Sequence, residues 1–160
     1  MTAWRTLAQV VVDPLPADWR ERLALRLGER PRRIGPWAEL ALYGARLCLD
    51  AAHEPVLPAS CQLRLASTSG PLSATRAIIG QARSYLPQPF AFQQSQPSHA
   101  LAVLSQTLAW QGDARFMLCH DAAALLQLAQ QECDEQGSTG LLVGQVEEGL
   151  RTAWWRLQKT

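Results

Sequence analysis

Apolar and polar positions along the chain spell out strands and helices in alternation. Arg5–Val12 (RTLAQVVV) ends in β-branched residues and stops at Asp13-Pro14, which predicts a strand closed by a turn. Ala17–Gly28 predicts a short helix, with Asp18 early and Gly28 at its stop. Arg30-Pro31-Arg32-Arg33 follows as a basic loop broken by proline. From Pro36 to Ala52, Trp37, Leu40, Ala41, Gly44, Leu47, Cys48 and Ala51 recur at i, i+3, i+4 and mark one apolar helix face. Pro36 suits the first turn of that helix, where a missing N–H costs nothing. Gln62–Ser67 alternates polar and apolar, as a strand does, and Thr68-Ser69-Gly70-Pro71 turns into a helix over Leu72–Tyr85. Leu86–Pro97, with three prolines and four glutamines, reads as an irregular loop of a length that is often functional. Ser98–Trp110 predicts a helix broken by Gln111-Gly112-Asp113. Arg115–Cys119 predicts a short strand, and Asp121 caps a helix over Ala122–Gln131. After a turn at Gln136–Gly140, Leu141–Val146 reads as a buried strand, and Arg151–Leu157 as a last strand or a short helix, its Trp pair and the turn at Glu148-Gly149 favouring a strand at the sheet edge. Strands separated by helical segments predict one α/β domain over residues 1–160, a layered, mostly parallel sheet flanked by helices.

Composition narrows the function classes. A chain of 160 residues with 48% hydrophobic and 18% charged residues builds a core and is not a disordered tail. Fifteen Lys+Arg against 14 Asp+Glu leave a net charge of +1, which gives no footprint for nucleic acid or an anionic membrane. The same near-neutral surface offers little repulsion against a protein partner. No apolar run approaches the roughly 20 residues of a membrane helix, and Met1–Arg5 does not open a signal peptide, so a cytoplasmic chain is expected. Cys48, Cys61, Cys119 and Cys133 show no C-x-x-C spacing; neither a metal nor a cofactor is expected, and each thiol reads first as a small buried hydrophobe.

Cys119 has a second reading. It ends a strand and a helix starts two residues on, where backbone N–H groups lower a thiol's pKa. His120 is adjacent, but neighbours on a strand face opposite ways, so it is not automatically the base for Cys119. The Ser67-Thr68-Ser69-Gly70 run has the hydroxyls to cradle an anion but lacks the glycine pattern of a phosphate loop, and reads as a strand-to-helix turn. Glu132, Asp134 and Glu135 crowd the end of a helix, against its dipole.

Met117-Leu118-Cys119-His120-Asp121 and the helix that follows to Ala129 resemble the nucleophile segment of the β-ketoacyl synthases, with Cys119 at the family's cysteine. The family's flanking Ser/Thr pattern is replaced here by Leu118, His120 and Asp121. Leu65–Gly70 is similar to the family's strand ending in Ala-Ser-x-x-Gly. Phe90–Ser95 followed by Ser98-His99-Ala100 resembles its Phe-x-x-Ser-Val-His-Asn-Ala element, and Gly140–Val146 the strand after the nucleophile helix. Arg30–Trp37 resembles the arginine-rich approach to a helix in chain-length-factor-type relatives. Order and spacing over Arg30–Glu148 carry the resemblance.

The resemblance implies a thiolase-like fold, of which this chain matches the ketosynthase N-terminal half. Ketosynthases join two similar halves, with the cysteine in the first and two histidines, or a histidine and an asparagine, in the second. His53, His99 and His120 fall at no matching position, and a cysteine alone cannot stabilise the enolate and oxyanion of a decarboxylative condensation. The expectation is a non-catalytic, chain-length-factor-type accessory subunit. It would pair with a complete ketosynthase and meet an acyl carrier protein in a type II fatty-acid or polyketide pathway, such as aryl-polyene synthesis; a homodimer is the other pairing. Phe116, Trp110, Trp154 and Trp155 are candidates for the partner interface or, equally, for the core. Arg30, Arg32 and Arg33 are candidates for a carrier-protein contact or a solvated loop. Two other functions stay open: an acyl-accepting enzyme using Cys119, with His120 nearby, and a small regulatory or scaffolding module that shares only the fold.

Overall fold

A computed structural model describes residues 2–86 and 88–160. The elements are β1 (Trp4–Val12), α1 (Trp19–Leu27), α2 (Pro36–Ala51), β2 (Cys61–Ser67), α3 (Leu72–Ser84), α4 (Pro89–Gln94), α5 (Pro97–Thr107), β3 (Ala114–Leu118), α6 (Ala122–Glu135), β4 (Gly140–Glu147) and β5 (Arg151–Lys159). The strands form one sheet in the order β1-β5-β4-β2-β3. β2 pairs parallel with β3 and β4, while β5 pairs antiparallel with β4 and β1. Four strands therefore run one way and β5 runs against them. The expected layered sheet is found, with α1, α2 and α5 contributing to the core on one face and α6 on the other.

Three expectations change in the structure. The last strand is not an edge: β5 lies between β1 and β4, and its residues Thr152–Leu157 are all buried. The supposed loop before α5 contains the short helix α4, while Pro87 within it lies outside the described residues. α2 is not amphipathic in effect, because α1 and α5 pack on it as the sheet does; between Trp37 and Ala45 only Glu39 is not buried.

Burial on both faces changes what the alternation in β2 means. Gln62 and Arg64 do not face water: both are buried, Arg64 fully. A buried guanidinium is tolerated only when its charge and N–H groups find partners. Arg64 meets Asp113 and Glu132, each at 2.8 Å, and donates to the Gln62 side-chain Oε1 at 2.7 Å. Burial works against the Asp113 carboxylate, but Arg64 and Arg115 outweigh it and hold its pKa below the usual range. On β5, buried Arg156 grips Glu54 through two bonds of 2.6 and 2.8 Å.

Of the aromatic interface candidates, Trp110, Trp154 and Trp155 are buried core residues of this chain and Phe116 is partly exposed. Trp154 is wholly buried in a slot between α2 and β4, with Gly44 on one side and Gly144 on the other. A Cβ on Gly44 falls 2.2 Å from Thr152 Oγ1 and 2.4 Å from Trp154, and one on Gly144 falls 2.4 Å from the Trp154 ring. Trp155 is buried with the α6-side cluster, and Trp110 lies against Gly112 with its ring nitrogen unpartnered. Phe116 is half-buried and meets Trp37 edge-on, with ring centroids 5.7 Å apart. The three tryptophans are interior because the layers on both faces close over them. They do not form an outer aromatic face.

Gly44→Ala and Gly144→Ala are each expected to destabilise the fold by about 1–3 kcal/mol through overpacking. Gly80→Ala on α3, where a new Cβ meets nothing within 4 Å, is expected to stabilise it by about 0.5–1 kcal/mol. Chemical denaturation of the three variants checks this; equal effects in all three would remove the packing argument.

Candidate functional site

Because β1, β2, β3 and β4 share a direction, their carboxyl ends meet at one edge of the sheet. That edge gathers the Ser67–Gly70 turn, Cys119–Asp121 and the end of β4. In α/β sheets this is where ligands bind and chemistry is placed.

Cys119 follows the last residue of β3. Its N–H donates to the Ser67 carbonyl at 3.3 Å, and its own carbonyl accepts from Gln145 Nε2 at 3.5 Å. Gln145 also donates to the His120 carbonyl at 2.7 Å and accepts from Arg151 at 3.2 Å. Asp121 is the expected cap: its Oδ1 accepts from the N–H groups of Ala123 and Ala124 at 2.9 and 3.3 Å. The half-buried Cys119 thiol donates to the Asp121 carbonyl at 3.3 Å.

His120 is exposed, and among the described residues no histidine hydrogen-bonds Cys119. His53 is exposed just past α2, and His99 lies on the first turn of α5 with Nε2 buried and unpartnered. Cys119 and His120 thus sit side by side on the chain without forming a nucleophile–base pair. The other thiols match their reading as buried hydrophobes: burial pushes Cys48 up to about 12 and Cys61 up to about 11, and raises Cys133.

The anion cradled by the Ser67–Gly70 turn is the chain's own. Glu147, nearly buried at the end of β4, accepts from Ser67 Oγ at 2.9 Å, Thr68 N at 2.7 Å and Thr68 Oγ1 at 2.6 Å. Ser69 Oγ adds a longer contact of 3.4 Å. Glu148 does the same for the start of α3, accepting from Ser73 N and Oγ at 2.8 and 2.9 Å. Sequence reasoning saw the hydroxyl run but missed Glu147 and Gln145. The signal was the carboxylate closing a buried strand, which needs several donors to be stable there.

Arg30, Arg32 and Arg33 are exposed, as a solvated loop requires. Arg33 lies over the Phe90 ring at 5.2 Å, and its carbonyl accepts from Gln94 at 3.0 Å. Among the described residues there is no group of three His, Cys, Asp or Glu placed to hold a metal, and no helix long and apolar enough to cross a membrane.

Glu147→Ala is expected to lower stability by about 2–3 kcal/mol, because it strands buried hydroxyl and backbone donors. Glu147→Gln keeps one acceptor oxygen and is expected to cost less. Denaturant titration checks both, and an alanine variant within about 0.5 kcal/mol of the native chain would refute the role given to the carboxylate.

No family model matches this chain, and no curated protein sequence matches it. Solved structures do. The structure described as the ishigamide ketosynthase/chain length factor matches 98% of this chain and 58% of its own, with a TM-score of 0.76 at 9% identity. A ketosynthase in complex with its chain length factor, from Xenorhabdus doucetiae, matches 100% of this chain and 80% of its own, with a TM-score of 0.72 at 14% identity. A beta-ketoacyl synthase from Burkholderia phymatum STM815 matches 91% of this chain and 45% of its own, with a TM-score of 0.65 at 16% identity. The chain thus spans between about half and four-fifths of these neighbours. At such low identity the likeness speaks for architecture alone: the chain has the ketosynthase-like, thiolase-type α/β fold.

Proposed function

We propose that the chain is a chain-length-factor-type accessory subunit that pairs with a ketosynthase and supplies no condensation chemistry of its own. The observation that carries this reading is the state of the carboxyl edge. The thiol at the cysteine position donates to a backbone carbonyl, no histidine among the described residues bonds it, Glu147 accepts from the nearby hydroxyls and the Thr68 N–H, and Gln145 donates to the Cys119 and His120 carbonyls. An oxyanion site needs free donors aimed at the reacting atom. The fold match to a chain from a ketosynthase–chain length factor complex, only about a quarter longer than this one, supports the same reading. The pathway would be a type II fatty-acid or polyketide assembly of the aryl-polyene kind, with an acyl carrier protein delivering substrate, in the cytoplasm.

Co-expression with a complete ketosynthase from the same organism is expected to give a one-to-one complex in size-exclusion chromatography with light scattering. Two separate peaks would overturn the proposal. Cys119→Ala is expected to leave product formation by that complex unchanged.

The acyl-accepting reading retains one favourable observation, that among the described residues Cys119 is the only half-exposed thiol. Iodoacetamide at neutral pH is expected to modify Cys119 slowly and leave Cys48, Cys61 and Cys133 untouched until the chain is unfolded, as mass spectrometry would read. Rapid labelling of Cys119, with loss of product in Cys119→Ala, would favour the acyl acceptor instead.

A further inference from the structure

The outermost strand β1 has an open side with few of the usual safeguards. It pairs with β5 on one side and α2 packs on it, but no strand lies beyond it. The bonding of β5 fixes which backbone groups of β1 point outward. Lys159 N–H donates to the Thr139 carbonyl at 2.8 Å and Thr160 N–H to the Ala3 carbonyl at 3.1 Å, so successive residues of β5 bond to opposite neighbours. Arg156, Trp154 and Thr152 therefore bond toward Ala8, Val10 and Val12. This leaves the N–H and C=O groups of Gln9 and Val11 facing outward, and among the described residues no hydrogen bond outside the sheet uses them. Both side chains are exposed as well, Val11 at 55%. Outer strands are normally blunted by proline, by charge or by a bulge. From Thr6 to Val12 there is no charge and no proline. The one irregularity is the register shift between Thr6 and Ala8, which leaves Ala8–Val12 as an uninterrupted pairing segment.

Unpaired backbone groups select an extended strand, and the flanking charges narrow which one. Arg5 precedes the segment and Asp13 follows it; both are exposed, and among the described residues neither forms an ion pair. We infer that β1 pairs antiparallel with β1 of a second copy of this chain, about a two-fold axis at Val10. Gln9 of each copy then faces Val11 of the other, and each such pair exchanges both of its N–H···O=C bonds. Val10 faces its own counterpart and Ala8 faces Val12, so every pair across the axis is neutral and has a β-branched member. The two-fold sets the Arg5 end of each strand beside the Asp13 end of the other, whereas a parallel pairing would set like ends together. The strand thus carries its own complement, which assigns a second copy rather than a foreign segment. A net charge of +1 adds little repulsion between copies. The pairing joins two five-stranded sheets into one. It does not rest on the accessory reading, because a complex with a ketosynthase keeps its one-to-one ratio whether or not β1 is paired.

The test is sedimentation velocity of the full chain alone across a wide range of concentration, where a monomer–dimer equilibrium is expected. Val11→Pro removes an outward N–H that β5 does not use, and should weaken the dimer by about tenfold or more. Val11→Lys, which sets a charge on the open side, should weaken it comparably. Val11→Thr keeps the N–H and the β-branched shape and should dimerise within about twofold of the native chain. Circular dichroism confirms that the variants fold. Val10→Cys gives a second reading. Two such thiols face each other across the axis as a pair that shares no hydrogen bond, with Cα atoms about 4.5 Å apart, within reach of a disulfide. Mild oxidation should link this variant into a covalent dimer through position 10, as peptide mass spectrometry would map. Leu25→Cys, 84% exposed on α1, controls for random collision and should link far less. A monomer at every concentration, a dimer indifferent to Val11→Pro and Val11→Lys, or equal linking of the two cysteine variants would overturn the inference. Co-elution of Val11→Pro with the ketosynthase is measured in parallel. A retained one-to-one complex supports the inference, and loss of the ketosynthase in this variant alone would assign the open side of β1 to that partner and overturn it. Failure of the native chain to bind the ketosynthase overturns the accessory reading and leaves the result for the chain alone standing.

Discussion

The seating of Trp154 governs how the layers stack. Its ring fits only because Gly44 on α2 and Gly144 on β4 have no side chain where it lies. Its Nε1 donates to Thr152 Oγ1 at 2.9 Å, so the slot leaves no stranded polar atom. α2 can then approach the sheet closely enough for Trp37 to donate to the Val146 carbonyl at 3.0 Å. Val146 precedes Glu147 on the chain. The contact that anchors α2 to β4 therefore also fixes the strand end from which Glu147 reaches the Ser67–Ser69 hydroxyls. Core packing and site geometry are one constraint here, propagated along a single strand.

Much of this was readable from residue pattern. The i, i+3, i+4 series placed α2, alternation placed β2, and Asp121 capped α6 as its residue type dictates. What escaped depended on contacts distant in sequence. β5 carries adjacent tryptophans and follows the turn at Glu148-Gly149, which look like an edge. It is central because Glu54, 102 residues away, neutralises Arg156 and because glycines on two other elements make room for Trp154. The alternation in β2 did not show that its polar positions are buried, because Asp113 and Glu132, which satisfy Arg64, belong to other elements. Periodicity reports which residues share a face. It does not report whether that face is wet, which is decided by the layer laid over it.

The candidate site follows the same rule. Cys119 could be placed at a strand end from local pattern, together with the helix start that follows it. The role of the hydroxyl run could not, because its anion comes from Glu147, 80 residues beyond Ser67. A motif defined by donors says that an anion is held; it does not say whose. The resemblance of short segments supplied the fold, since their order follows the order of elements that the sheet requires.

The distribution of unsatisfied groups separates the carboxyl edge from the arm formed by α3 and α4. At the edge, a thiol, several hydroxyls, an amide and a carboxylate bond one another or the local backbone, which leaves few free donors for a substrate oxyanion. On the arm, aromatic side chains stay exposed and an amide oxygen stays buried without a partner among the described residues. A fold gains nothing in isolation from exposing apolar surface, since each such group raises the free energy of the monomer in water. Surface of this kind is maintained where association covers it. The donors at the strand ends bond within the chain, and the exposed apolar surface lies on α3 and α4.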